Sequence, residues 1–273
     1  ILYSVRILFS DTEVTREIHG NEISLNPKNP GLEKDLFLHK KREVESTKIY
    51  ENFLQEGINV LDIGANIGYY ALIASEQVGG DGRVLACEPV PKNLEKLRKN
   101  KKVNTKENIE IKQKALSNKE GRTKINIKDS PNLSKVSKDG GLCVKAVKID
   151  SISTSNIDVL RMDIQGFEYR VLQGARNLLE KNSLKIFLEV HPKKIDRYDE
   201  SGYESFWSLL KDHELTVKYI IRHPSCPKLR YFLLGRYPKR NVYEPNISIG
   251  KLLDSQELKP LEWERPFRIF LEK

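Results

Sequence analysis

The chain has no long apolar run, a single methionine and only three cysteines among its 273 residues. No apolar stretch approaches the roughly 18 residues needed to cross a bilayer, so no membrane span is expected. Ile1 to Phe9 is interrupted by Ser4 and Arg6 and lacks a small-residue cleavage pattern, which reads as a strand and not a signal peptide. The cytoplasm is therefore the expected compartment. Cys87, Cys143 and Cys226 are odd in number and form no Cys-x-x-Cys pair, as reduced thiols of an intracellular protein would be, and Cys87 reads as a small core residue. His19, His39, His191, His213 and His223 show no ligand spacing with one another or with cysteine, so no metal site is expected.

Two further absences concern nucleotides. There is no Gly-Lys-Ser/Thr loop to cradle phosphates, and the one glycine turn between a strand and a helix lacks the Gly-x-Gly-x-x-Gly that brings a helix N-terminus onto a pyrophosphate. The turn reads Asp62-x-Gly64-x-Asn66-x-Gly68. Asp62 would repel an anion and attract the ammonium and sulfonium of S-adenosylmethionine (SAM). Ahead of it, Ile58 to Ile63 is a short aliphatic run suited to a parallel strand buried on both faces. A helix is expected from Ile67 to the Gly79-Gly80-Asp81-Gly82 turn. The next strand ends at Glu88, 24 positions after Gly64, where a carboxylate can accept hydrogen bonds from both hydroxyls of a ribose.

The composition, 38 % hydrophobic and 31 % charged, is that of a globular chain, large enough for one sizeable α/β domain or two small ones. Its net charge of +9 raises the question of nucleic acid. Lys92 to Lys106, and Lys228 to Phe232 through Arg236 to Arg240, are the two candidate surfaces, the second interleaving cations with aromatics. The alternative for both is a solvated lysine-rich surface, and for the second also plain strand alternation.

Strands and helices alternate along the chain. Residues 1–41 form a strand-rich N-terminal segment with pieces at Val5 to Phe9 and Asp35 to His39, and residues 42–273 form the main domain with core motifs at 58–192. A helix at Glu43 to Leu54 leads in, and Pro91 opens another after Glu88. The third strand is expected from Ile109 to near Ser117, followed by an added pair at Thr123 to Ile127 and Leu142 to Ile149, with a mobile loop at Lys128 to Gly141. The fourth, Ile157 to Met162, ends at Asp163. One helix then carries Phe167, Val171, Ala175, Leu178 and Leu179, and the fifth strand, Leu184 to Val190, ends at His191. Val217 to Ile221 and Phe267 to Leu271 complete a doubly wound, parallel sheet. Ligands bind such sheets beyond the C-terminal strand ends, where Asp62, Glu88, Ala115, Asp163 and His191 fall.

The series Val60 to Tyr70, Glu88-Pro89, Lys114-Ala115-Leu116-Ser117, Asp163-Ile164-Gln165-Gly166-Phe167-Glu168 with Val171 to Ala175, and Glu189-Val190-His191-Pro192 resembles the FkbM-type SAM-dependent methyltransferases, from about Arg42 to Pro192. The resemblance implies a Rossmann-like class I methyltransferase fold, a mostly parallel seven-stranded sheet with helices on both faces. It also implies O-methylation of a hydroxyl on a sugar, glycan or other small molecule. Gln165 departs from the family's glutamate, and Phe167 from its small residue, which points to a different acceptor preference. The expected cofactor residues are Asp62, Gly64, Ala65, Asn66, Gly68 and Tyr69 around the methionine and ribose, Glu88 with Pro89 at the ribose diol, Ala115 and Leu116 beside the adenine, and Asp163 toward the donor's amino group or the acceptor. An alcohol needs a base to take its proton. His191 is the first candidate, against a strand-end histidine bonded to backbone, and Glu168 the second, against a carboxylate that complements a helix dipole. Glu189 reads as a buried strand residue paired to the third-strand side or to a cation. RNA is the alternative acceptor, and a non-catalytic SAM-binding protein the alternative of another class.

Overall fold

The computed structural model describes residues 12–126, 135–137, 141–152, 156–222 and 241–273. The strand expected at Val5 to Phe9, most of the loop at 128–141 and the basic aromatic segment at 228–240 lie outside them. The chain divides into two compact units, 1–115 with 122–145, and 116–121 with 146–273.

The first unit opens with the hairpin β1 (Val14–Ile18) and β2 (Asn21–Leu25), antiparallel across His19-Gly20. Both turn residues have positive φ, 49° and 71°, as the two-residue hairpin turn that matches strand twist requires. Asp35 to His39 is not a strand but the end of helix α1 (Leu32–His39). Leu32 and Leu36, four apart, are both buried, and Glu33 and Asp35 complement the first turn, so the helical period overrides the local alternation. Helix α2 (Val44–Phe53) leads to β3 (Asn59–Ile63), then α3 (Tyr69–Val78), β4 (Arg83–Cys87), α4 (Pro91–Val103) and β5 (Ile109–Lys112). Strands β3, β4 and β5 pair in parallel in the order β5-β4-β3. Helix α3 is apolar nearly all round, with Tyr69 to Ser75 buried without a break, as a helix enclosed by protein must be.

The third strand stops at Lys112 and does not run on to Ser117. Ala115–Leu116 is a separate two-residue strand, β6, in a four-stranded sheet with β7 (Gly121–Asn126), β8 (Lys135–Ser137) and β9 (Leu142–Val147), ordered β6-β9-β7-β8. The Lys114 amide, bonding back to the Lys112 carbonyl at 3.0 Å, makes the bend between the two.

The second unit contains β10 (Val159–Met162), helices α5 (Glu168–Gln173) and α6 (Arg176–Leu179), β11 (Lys185–Val190), α7 (Pro192–Tyr198), α8 (Gly202–Asp212) and β12 (Thr216–Arg222). Short strands β13 (Asn241–Tyr243) and β14 (Ile247–Ser248), helix α9 (Ile249–Leu253) and β15 (Phe267–Glu272) follow. Strand β10 is parallel to β11, and β15 lies antiparallel between β11 and β12. Within this unit β15 thus runs against both strands it lies between, and the chain has the Rossmann-like α/β arrangement, with a mostly parallel central sheet, expected of class I methyltransferases.

The helix expected from Phe167 to Leu179 is broken at Gly174. Its carbonyl accepts the Asp150 amide at 3.0 Å, and a Cβ placed on it would lie 2.3 Å from the Ser117 carbonyl oxygen. That approach leaves no room for a side chain, and Asn118 closes it with a 2.8 Å bond to Gln173. Gly174→Ala is expected to cost about 1–3 kcal/mol of stability by overpacking, read as a lower urea midpoint at unchanged slope. A variant as stable as the parent would refute the crowding.

Candidate functional site

In the first unit the candidate residues gather where β3 and β4 end. The Gly64 and Ala65 amides both donate to the Cys87 carbonyl, at 2.9 and 3.2 Å, which hangs the loop after β3 on the end of β4. Gly64, Asn66 and Gly68 all take positive φ, 78°, 55° and 98°. In that conformation the Asn66 amide donates to Glu88 Oε2 at 2.9 Å. Glu88 Oε1 accepts from the Val90 amide at 2.9 Å and from Asn93 Nδ2 at 3.4 Å. Burial pushes the Glu88 carboxyl up to about 7 against these three donors, and the charge of Asp62 adds to the rise. Burial likewise pushes the Cys87 thiol up to about 12, so Cys87 is a packing residue and no nucleophile.

An adenosine cofactor with hydroxyl and ammonium donors suits this loop. Asn66 Oδ1 is buried with no hydrogen-bond partner, an acceptor that a donor on a ligand would satisfy. Asp62 is fully buried at the strand end, and Ala65 is 3 % exposed. Tyr69 sits differently. Its hydroxyl turns to the Arg42 carbonyl at 3.2 Å, His19 Nε2 at 3.3 Å and Thr47 at 3.3 Å. Asn100 on α4, which the sequence did not single out, accepts the Ser24 amide at 2.8 Å and donates to the Ile67 carbonyl at 2.9 Å, clamping loop to hairpin. Of the remaining cofactor candidates, Pro89 is half-buried, and Ala115 and Leu116 are buried in β6.

In the second unit the structure brings together Asp163, Glu168, Glu189 and His191. Glu189 and Arg268 face each other in the register of β11 and β15 and pair at 2.8 Å, both buried. Arg161 on β10, also buried, reaches Asp163 at 3.3 Å. His191 caps the start of α7, and its Nδ1 lies 2.9 Å from Glu168 Oε1; the pair is 3 % and 0 % exposed. Loss of solvent pushes the Asp163 carboxyl up to about 6, with the charge of Glu189 adding to it. For His191 burial acts downward, yet Glu168, through charge and hydrogen bond, with Glu189 and Asp163, raises the imidazole above its ordinary value.

The sequence missed Arg161 and Arg268. The signal was a lone arginine inside each of two otherwise apolar strands, since a buried charge needs a partner. Asp163, Glu189 and His191 also offer ligand atoms within 4.8 Å of one another, a grouping their spacing in the chain conceals. A divalent cation there would have to displace two guanidiniums already paired with the carboxylates. The donor set therefore suits proton handling better than metal binding. Lys92 to Lys106 fits a phosphate surface poorly: Lys96 pairs with Glu33, Lys99 with Glu13 and Lys106 with Glu76.

The model of the methyltransferase FkbM domain matches residues 62–231. The chain is 29 % identical over 138 residues to hexuronic acid methyltransferase AglP of Haloferax volcanii, covering 48 % of this chain and 54 % of that protein. It thus spans about half the length of that curated relative. It is 40 % identical over 47 residues to a protein-L-isoaspartate O-methyltransferase of Methanothrix thermoacetophila, 17 % of this chain and 22 % of the relative. Among solved structures it is similar to an FkbM methyltransferase from Methylobacillus flagellatus, with 17 % identity, 70 % and 57 % of the two chains covered and a TM-score of 0.43. Aeropyrum pernix fibrillarin with bound SAM gives 14 % identity, 84 % and 74 % coverage and a TM-score of 0.45.

Replacing Arg268 with Met strips the buried Glu189 of this cation, at an expected cost of about 3–5 kcal/mol. Adding Glu189→Gln should recover most of it. Urea unfolding of both variants measures the coupling, and simply additive losses would show that the two side chains do not act as a pair.

Proposed function

The chain belongs to the FkbM methyltransferase family, whose methyl donor is SAM, and on that premise we propose that it methylates a hydroxyl oxygen of a sugar or similar small-molecule acceptor. The observation that carries this reading is the buried imidazole of His191, backed by a carboxylate, at the end of a core strand. SAM supplies, when bound, a methyl group on a cationic sulfur that becomes neutral on transfer. Glu88 would hold the ribose diol, Oε2 having a lone pair beyond the Asn66 amide and Oε1 giving up its long 3.4 Å contact with Asn93, while Asn66 Oδ1 and the charge of Asp62 would meet the polar end of the donor. On the acceptor side, His191 takes the hydroxyl proton as the oxygen–carbon bond forms and the carbon–sulfur bond breaks, the electron pair leaving with sulfur. Asp163 borders that oxygen or hydrogen-bonds a neighbouring hydroxyl.

Glu88→Ala is expected to weaken SAM binding at least about 100-fold, the scale of two lost charge-assisted hydrogen bonds, without unfolding the chain. The titration of Glu88 adds a pH signature. Its carboxyl, near pKa 7 in the free protein, accepts two hydrogen bonds fully only when ionised. Affinity should accordingly rise from pH 6 to pH 8 with release of a proton, seen as a buffer-dependent binding enthalpy, and Glu88→Gln should abolish that dependence. Equal affinity for wild type and Glu88→Ala in calorimetry would reject the ribose assignment.

A second reading takes the acceptor oxygen from a carboxylate, because one relative's name is hexuronic acid methyltransferase. A carboxylate is already ionised and needs no base. His191→Ala should lower turnover by about 100-fold to 10,000-fold on hydroxyl acceptors with SAM affinity little changed, and the product should be a methyl ether that survives mild alkali. An alkali-labile ester from a fully active His191→Ala enzyme would decide for the carboxylate. The basic segment behind the RNA alternative lies outside the described residues, and no observation favours it.

A further inference from the structure

We propose that Glu168 is a positioning residue that holds the His191 ring by its Nδ1–H, leaving the Nε2 lone pair for the acceptor; the inference rests on His191 being the base. The geometry fixes both partners. Glu168 is fully buried, and its Oε1 accepts the Gly166 amide at 2.9 Å as well as contacting His191 Nδ1 at 2.9 Å. An ionised carboxylate can only accept, so the ring must carry its proton on Nδ1. The neutral imidazole is thereby set as the tautomer whose other nitrogen is basic.

The turn that delivers the Gly166 amide is built for the purpose. Gln165 and Gly166 are both left-handed, at φ 61° and 105°, and a Cβ on Gly166 would lie 2.3 Å from Lys194 Cβ and 2.9 Å from its carbonyl carbon. No other residue fits there, and strain of this kind is kept where it positions something. Glu168 Oε2 is buried with no hydrogen-bond partner, so the carboxylate depends on the cation that His191 becomes.

The charged and titratable groups around the ring come from every neighbouring element: Asp163 and Arg161 from β10 and its end, Glu189 from β11, Arg268 from β15, and Tyr198 and Lys194 from α7. Arg161 and Arg268 are turned to Asp163 and Glu189, and Lys194 bonds Gln165. Glu168 is the group in hydrogen-bond contact with the ring, and its charge raises the imidazole's affinity for the acceptor's proton, as a preorganised partner does for charge that develops in a transition state.

The test uses the whole protein and the near-isosteric Glu168→Gln. Nitrogen-detected NMR of the His191 ring should show the Nδ1–H tautomer in the wild type and a titration midpoint above that of a free imidazole; in Glu168→Gln the midpoint should fall. The rise of kcat with pH should move down with it. The pH-independent kcat should drop about 10- to 100-fold, the scale on which a ring-orienting partner acts, at unchanged SAM affinity. Should Glu168→Gln not fold, Glu168→Asp, which keeps the charge but withdraws it, must shift the midpoint in the same direction. An unmoved midpoint, or a neutral ring protonated on Nε2, would overturn the positioning role. A midpoint that moves while the kcat profile stays put would overturn the base assignment beneath it and leave the Glu168 contact as a structural one.

Discussion

The hydrogen bond from the Asn66 amide to the Glu88 carboxylate is the constraint on which the first unit turns. It requires the loop after β3 to run through three left-handed residues, Gly64, Asn66 and Gly68, a backbone that glycine adopts freely and asparagine tolerates. The strain is offset by the Cys87 carbonyl, which collects two loop amides, and by Asn100, which ties the Ile67 carbonyl to helix α4. The same bond explains the titration of Glu88. A carboxylate held there is surrounded by protein, and the amides that hold it only partly offset the loss of water, so its affinity for protons rises into the neutral range. On the proposed reading, a ligand with two hydroxyl donors would restore part of what burial removed.

The N-terminal hairpin belongs to this argument. The Ser24 amide bonds Asn100, and Asn104 bonds both the amide and the carbonyl of Glu22, so side chains of α4 serve the backbone of β2. The buried Lys96–Glu33 pair, with Glu33 also taking the Asn26 amide and Asn29, fixes the turn into α1. The N-terminal segment therefore contributes polar contacts to the helix that braces the loop after β3.

The turn after β3 was legible because its logic is local. Strand, Asp62-x-Gly64-x-Asn66-x-Gly68, helix and Glu88 follow one another within a single βαβ stretch, and each residue type announces its backbone role. The strands of the main sheet were legible for the same reason, as short aliphatic runs between turn signals. Three features were not. Asp35 to His39 alternates like a strand but is the last turn of a helix whose other apolar residue, Leu32, lies one turn back. The break at Gly174 depends on Ser117, far away in the chain. The cluster around His191 depends on register, because Glu189 meets Arg268 only when β11 and β15 align as they do, 79 positions apart.

Charge balance within that cluster favours a neutral acceptor. Asp163, Glu168 and Glu189 set three carboxyl groups beside the guanidiniums of Arg161 and Arg268, and burial, with Glu189 alongside, raises the affinity of Asp163 for protons. Burial acts downward on the His191 imidazole, yet Glu168, with Glu189 and Asp163, raises it above its ordinary value. An incoming carboxylate would bring one more acid to a cluster that already holds three, whereas a neutral hydroxyl would not. The low dielectric of the buried site magnifies that difference. On the proposed reading, the step this surrounding favours is the proton transfer, which an alcohol acceptor needs and a carboxylate does not.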